Sequence, residues 1–310
     1  MIGSGFEATI PQVHLPFLKG GRKIFWPFRL STTSCVIPES ILSNLLLLGP
    51  YLDEVELVFF ETRTETNFPS HQDIRDMRQV AEDLDITFNV HLPGDLFFGD
   101  PDPALRARFR DTTLRFYERT LPLDPTLYIL HLDSRRADGI VEPDTCAWSD
   151  RVEDSLTALV KAGLDPGLVA VENLEFPLDK LMPFVERIGL KTCLDIGHLI
   201  LYGHDLQTQL DRHFSQSAMI HLHGVREGVD HLGVQWISPG DWEMICSHLA
   251  DYTGGLSIEI FSMDDLAASL DRLKKTIRKK VATPPFLPRT GSRANGSHIS
   301  HFGSADPPLF

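Results

Sequence analysis

Asp195 and His198 close the stretch Cys193-Leu194-Asp195-Ile196-Gly197-His198, an acid and an imidazole three residues apart at the end of an apolar run. Read alone, they are either a polar strand ending and a loop residue, or two metal ligands. Imidazole mixed with carboxylate suits Zn²⁺, Mn²⁺ or Fe²⁺. The same residue types recur at the ends of other apolar runs: His91 in "NVHLP", His131 in "ILHLD", Glu172 in "AVEN", His221 in "IHLHG" and Glu259 in "SIEIF". Each has an ordinary explanation by itself. A single histidine near a strand end is more often a hydrogen-bonded core residue than a ligand, and a single glutamate there is an ion-paired one. Six successive strand ends are a different matter, because unpaired charges and imidazoles crowded around one opening are costly to bury. Divalent cations offset that cost. With Asp230 and His231 in "VDHLG" the chain offers nine candidate ligands, more than one ion takes. The pattern therefore predicts two or three ions, with zinc or manganese expected. Such clusters activate water and stabilise the attacking and leaving oxygens of phosphoester hydrolysis.

The elements that must position these residues follow a regular alternation. Strand-like runs are "FRLSTT" (28–33), "EVELVFFE" (54–61), "ITFNVHL" (86–92), "LYILHLD" (127–133), "LVAVEN" (168–173), "KTCLDIG" (191–197), "AMIHLHG" (218–224) and "LSIEIF" (256–261). Each has the length and β-branched content of a buried parallel strand. Helix-like stretches lie between them. Pro38 stands at a plausible first helical position with Gly49-Pro50 as the stop. Ser70 followed by Asp73 reads as a capping box, and Val152, Leu156, Leu159 and Val160 share one face before Gly163. Eight strand–helix units in this length predict a single-domain (β/α)8 TIM barrel, whose chemistry sits at the C-terminal ends of the strands. A doubly wound open sheet is the competitor, but no GxGxxG follows the first strand. The barrel is expected over residues 28–282, between an N-terminal extension (1–27) and a Pro/Gly/Ser-rich tail (283–310) whose His298 and His301 are expected to belong to no site.

Composition narrows the partners. The net charge of −14 argues against gripping a long polyanion, and the basic run at 272–280 reads as the solvated face of a late helix. Hydrophobic residues make up 42% of the chain, enough for a sizeable core, yet no run has membrane-spanning length. Four scattered cysteines without a CxxC pair fit a reducing compartment. The expectation is a cytoplasmic protein acting on a small molecule, with no nucleic acid and no membrane partner.

The strand-end set resembles the xylose isomerase-like TIM-barrel superfamily, which includes DNA-repair phosphodiesterases of the endonuclease IV type. The resemblance covers roughly residues 28–280. Its D-x-x-H pair reads here as Asp195 and His198, and its strand-three and strand-four histidines as His91 and His131. Its glutamate before Asn reads as Glu172-Asn173, its strand-seven histidine as His221 and its last glutamate as Glu259. The superfamily's D-x-H departs here to an adjacent Asp230-His231. A narrower resemblance, carried by "STTSCVIPESILSN", "VELVFFET" and "VHLPGDLFFGD", is to cobamide-remodelling phosphodiesterases. These hydrolyse the nucleotide-loop phosphoester of cobamides, giving a cobinamide phosphate and a lower-ligand riboside.

That resemblance implies roles. Glu172 would bridge two ions and, with Asp195 and Glu259, serve catalysis. His91, His131, His198 and His221 would fix the cluster, and Asp230 and His231 would close a third ion's site. Glu61, Asn173, His223 and Arg226 are the candidate substrate contacts, and Phe97 and Phe98 either pack on a flat ring system or cover the barrel mouth. Two other enzymatic readings share the superfamily, an AP endonuclease and a single-metal sugar isomerase or epimerase. The charge disfavours the first, and the presence of both His91 and His131 disfavours the second. A metal-binding regulatory barrel is the non-enzymatic reading.

Overall fold

The computed structural model describes residues 23, 25–142 and 145–280. Most of the expected N-terminal extension, the tail and its two histidines lie outside them. In chain order the elements are β1 (Arg29–Thr32), α1 (Ile41–Leu48), β2 (Glu54–Val58), α2 (His71–Leu84), β3 (Thr87–His91), α3 (Pro103–Thr120), β4 (Tyr128–His131) and α4 (Thr145–Lys161). They continue as β5 (Val169–Glu172), α5 (Met182–Ile188), β6 (Lys191–Asp195), α6 (Ile196–Leu201), α7 (Leu206–His213), β7 (Met219–Leu222), β8 (Gly224–Arg226), β9 (Val229–Leu232), α8 (Pro239–Leu249), β10 (Gly255–Ile258) and α9 (Met263–Lys280).

Eight strands form one sheet in the order β1-β10-β7-β6-β5-β4-β3-β2, every pairing parallel. The two edges meet. Thr33 bridges Glu56 in parallel, Ser34 N–H donates to the Glu56 carbonyl at 2.8 Å, and Val58 N–H donates to Ser34 Oγ at 3.0 Å. The sheet is thereby a closed (β/α)8 TIM barrel, as the alternation predicts. No helix among the described residues is long and apolar enough to cross a membrane.

Period-two geometry sorts each strand's residues between two cores. One set, including Val55, Leu57, Phe88, Val90, Leu130, Val171, Leu194 and Ile220, belongs to the main core packed with the helices. The other set, Leu127, Ile129, Ala170, Cys193 and Met219, forms a second buried cluster inside the barrel. These interior residues share strand faces with His131, Glu172, Asp195 and His221, so the apolar plug is the floor on which those polar side chains stand.

Local signals explain most boundaries. Ser70 caps α2 with the full reciprocal box to Asp73. The start of α1 differs from the proline signal: Ser40 accepts the Ser43 N–H at 3.2 Å and the helix begins at Ile41, because a serine cap satisfies an orphan donor that Pro38 cannot. The sixth strand ends at Asp195 rather than Gly197, since Asp195 turns from strand into the N-cap of α6. The loop after the seventh strand is itself a hairpin, β8–β9, with positive φ at both Glu227 and Gly228 in its turn.

Candidate metal centre

The strand ends deliver their residues to one mouth. His91, His131, Glu172 and Asp195 are the last residues of β3, β4, β5 and β6; His221 lies in β7, and Glu259 follows β10 directly. Glu172 stands at the middle. Its Oε2 is 3.3 Å from His131 Nε2, 3.3 Å from His221 Nδ1 and 3.6 Å from His91 Nε2, while its Oε1 is 3.3 Å from His198 Nδ1. Glu259 Oε2 is 3.0 Å from His221 Nδ1 and 3.6 Å from His231 Nε2. Asp195 Oδ2 lies 3.4 Å from His198 Nδ1 and 3.9 Å from His221 Nδ1.

Donor atoms lying within 4.8 Å of one another fall into groups that share members: His91, His131 and Glu172; Glu172, Asp195, His221 and Glu259; and His198, His223 and His231. A further group joins Cys193 to Glu172 and His221, but burial pushes the Cys193 thiol far up, so it stays protonated and is a poor ligand.

Two observations test whether these residues suit a cation. First, six buried polar atoms of the cluster have no hydrogen-bond partner: His91 Nε2, Glu172 Oε1, Asp195 Oδ2, His221 Nδ1, His223 Nε2 and Glu259 Oε2. Orphaned buried polar atoms are costly; others occur elsewhere, as at Gln209 and His213, but these six converge on one mouth. Second, one nitrogen of several rings is tied elsewhere, which fixes the tautomer. His91 Nδ1 is 2.9 Å from the Leu92 carbonyl and His221 Nε2 is 3.0 Å from Glu56 Oε2. In His198 the nitrogen nearest Glu172, Nδ1, is itself 3.1 Å from the Asn173 carbonyl, which leaves the lone pair on Nε2. A ring nitrogen donating its proton outward leaves the other lone pair for a metal, the usual arrangement around metal-ligating histidines. The residues therefore fit divalent ions.

Electrostatics agree. Burial raises the Glu172 and Glu259 carboxyls, but the surrounding imidazoles, His221 foremost, bring both well below the usual carboxylate range. Burial works against charged His198, yet Asp195 and Glu172 raise it to about 10. His231 is lifted to about 9 against its burial, mainly by Glu259. The cluster demands positive charge, and protons supply it where cations do not.

The substrate contacts expected from the sequence disperse. Asn173 is fully buried, and its side chain locks β5 to β6 by donating to the Asp195 carbonyl at 2.9 Å and accepting the Asp195 N–H at 2.8 Å. Glu61 pairs with Arg115, accepts from Thr66 Oγ1 at 3.0 Å, and belongs to none of the donor groups. Arg226 lies over the Trp236 ring, 4.2 Å from its centroid. His223 lies within the cluster, close to His198 and His231. Asp230 Oδ1 is 3.2 Å from His231 Nδ1, both on β9. Phe98 is buried in the main core and Phe97 packs edge-on to Phe109, so the "DLFFGD" rings serve packing.

Two residues stand out beyond the expected set. Glu56, fully buried mid-strand in β2, holds His221. Arg135 lines a cavity of about 460 Å³ above the cluster, with Val141, Leu174, Tyr202 and Phe261. Tyr202 and Phe261 are each about half exposed there. Arg135 is held by Asp133 in a two-pronged ion pair.

The model of the family described as xylose isomerase-like TIM barrel matches residues 51–279. Among solved structures, a D-tagatose 3-epimerase-like protein superposes with a TM-score of 0.68 at 20% identity, over 82% of this chain and 100% of its own. Endonuclease IV from Thermus thermophilus gives 0.58 at 17%, over 81% and 99%. The IOLI protein, solved with a zinc atom, gives 0.59 at 13%, over 81% and 96%. At such identities these likenesses speak to the fold. No curated protein matches the sequence significantly.

Proposed function

Because this chain belongs to the xylose isomerase-like TIM-barrel family and seats Glu172 between donor groups on both sides, we propose that it is a metal-dependent phosphodiesterase of two or three ions. The observation carrying this reading is the sharing of Glu172 Oε2 between His131 and His221, each at 3.3 Å. One ion would need only Glu172, Asp195, His221 and Glu259. His91 and His131, with ring centroids 4.7 Å apart, and the pair His198 and His231 then have further ions to hold. Divalent ions in these groups would supply Lewis-acid polarisation of a phosphoester and activation of a water nucleophile.

The chain's own residues do the rest. Glu172 joins two donor groups and keeps their spacing fixed. Asp195 and Glu259 contribute carboxylates to the same group from β6 and the end of β10. Asp230 orients His231 at the rim. The net charge of −14 repels a nucleic-acid backbone, which favours a large substrate of low charge. The cavity wall, with Val141, Tyr202 and Phe261 at the opening, suits a ligand with broad apolar faces. Together with the sequence motifs quoted above, these points favour the nucleotide-loop phosphoester of a cobamide.

A second reading, sugar epimerisation at one ion, draws on the four-residue group Glu172, Asp195, His221 and Glu259 and on epimerases among the similar folds. A generic phosphodiester separates the two. Manganese-loaded protein is expected to cleave bis(p-nitrophenyl) phosphate, and Glu172→Gln to lose roughly 100-fold or more of that rate while remaining folded. Undiminished turnover in the variant would remove Glu172 from the mechanism.

A further inference from the structure

His223 follows His221 at the same inward parity, is fully buried, and stacks on His231 with ring centroids 4.3 Å apart. Spacing alone groups it with His198 and His231 as a ligand. Its hydrogen bonds point elsewhere. Nδ1 accepts the backbone N–H of His231 at 3.0 Å, so the neutral ring carries its proton on Nε2. That nitrogen lies 3.3 Å from Asp195 Oδ1, a polar contact outside hydrogen-bond geometry, and with the proton on it offers no lone pair to a cation. The Gly224 carbonyl is 3.3 Å from Nδ1, but a proton placed there would meet the His231 N–H head-on.

We infer that His223 is a positioning residue: one imidazole, packed beside Asp195, that holds the backbone of the hairpin bearing Asp230 and His231. The inference rests on the metal-centre reading above. Two independent features support it. His231 has φ of 53°, a left-handed conformation that is costly for a residue with a Cβ, and the bond to His223 restrains it there. Gly197 sits where any Cβ would stand 2.1–2.3 Å from three atoms of the His223 ring. The glycine between Asp195 and His198 therefore leaves the seat that this ring occupies, despite its conformational cost inside α6.

The test is titration of the metal-free protein with Co²⁺, read by stoichiometry, affinity and ligand-field absorption. His223→Asn keeps an acceptor on the His231 side, His223→Gln keeps a donor on the Asp195 side, His223→Leu keeps neither, and Gly197→Ala displaces the ring. At saturation every variant is expected to hold as many Co²⁺ ions as the wild type with the same absorption envelope. Affinity should weaken by roughly 10- to 100-fold in His223→Leu and Gly197→Ala, the usual cost of losing an outer partner. The Asn and Gln variants, one polar contact each, should fall between these and the wild type. Loss of one Co²⁺, or of one imidazole's absorption, in His223→Leu would make His223 a ligand and overturn the inference. Wild-type affinity in both His223→Leu and Gly197→Ala would overturn it too. A wild-type protein that takes up no Co²⁺ would instead refute the metal centre itself.

Discussion

Asp195 caps the helix that carries His198. Its Oδ1 accepts the His198 backbone N–H at 2.6 Å, while its Oδ2 is buried without a partner, 3.4 Å from the His198 ring. One carboxylate thus sets a neighbour's place with one oxygen and leaves the other unpartnered, where the proposed metal centre would use it.

The two oxygens can be separated by mutation. Asp195→Asn retains a good cap and should leave the metal-free protein within about 1 kcal/mol of wild-type stability, whereas Asp195→Ala should lose about 1 kcal/mol more. Both should lose metal from the group shared with Glu172, His221 and Glu259. Thermal melts and elemental analysis read the two effects separately, and a full metal complement in Asp195→Asn would contradict the assignment.

Metal uptake should expel protons. Without a cation, His198 is raised to about 10 and His231 to about 9, so both imidazoles are protonated at neutral pH. A ligand needs the lone pair, so each proton must leave when a cation arrives. Apparent affinity should therefore rise as pH increases toward that range and fall roughly tenfold per pH unit for each proton displaced as pH drops. Calorimetry in buffers of different ionisation enthalpy measures the release directly; an affinity flat from about pH 6.5 to 8.5 would speak against it.

Glu56 should matter through His221. Its Oε2 lies 3.0 Å from His221 Nε2, which directs the Nδ1 lone pair into the cluster. Replacing it with Leu should weaken metal binding by roughly 10- to 100-fold, while Glu56→Gln, whose amide oxygen still accepts, should recover much of that loss. Equal defects in the two variants would show that charge, not tautomer, is what Glu56 supplies.

Much of this is legible in the sequence. Parallel strands present alternate residues inward, so an imidazole or carboxylate at each strand end converges on one mouth, and His91, His131, Glu172, Asp195, His221 and Glu259 all do so. Glu56 escaped because it lies inside its strand. The second strand stops at Val58, three residues short of the apolar run's end, and it is the longer run that makes Glu61 look like a strand-end residue. The pattern Glu54-Val55-Glu56-Leu57-Val58 did carry the signal, since acids in phase on a buried strand need an interior partner. The β8–β9 hairpin was hidden by its polar composition. The inward parity of His223 was visible, but its tautomer depends on where the chain brings the His231 N–H, and no local pattern encodes that contact.

The most direct measurement is incubation of the metal-loaded protein with adenosylcobalamin and, in parallel, with abasic-site DNA and a ketohexose. The account predicts release of a cobinamide phosphate and a lower-ligand riboside, abolished in Glu172→Gln, with the DNA and the sugar unchanged. An intact cobamide beside nicked DNA or an epimerised sugar would contradict it.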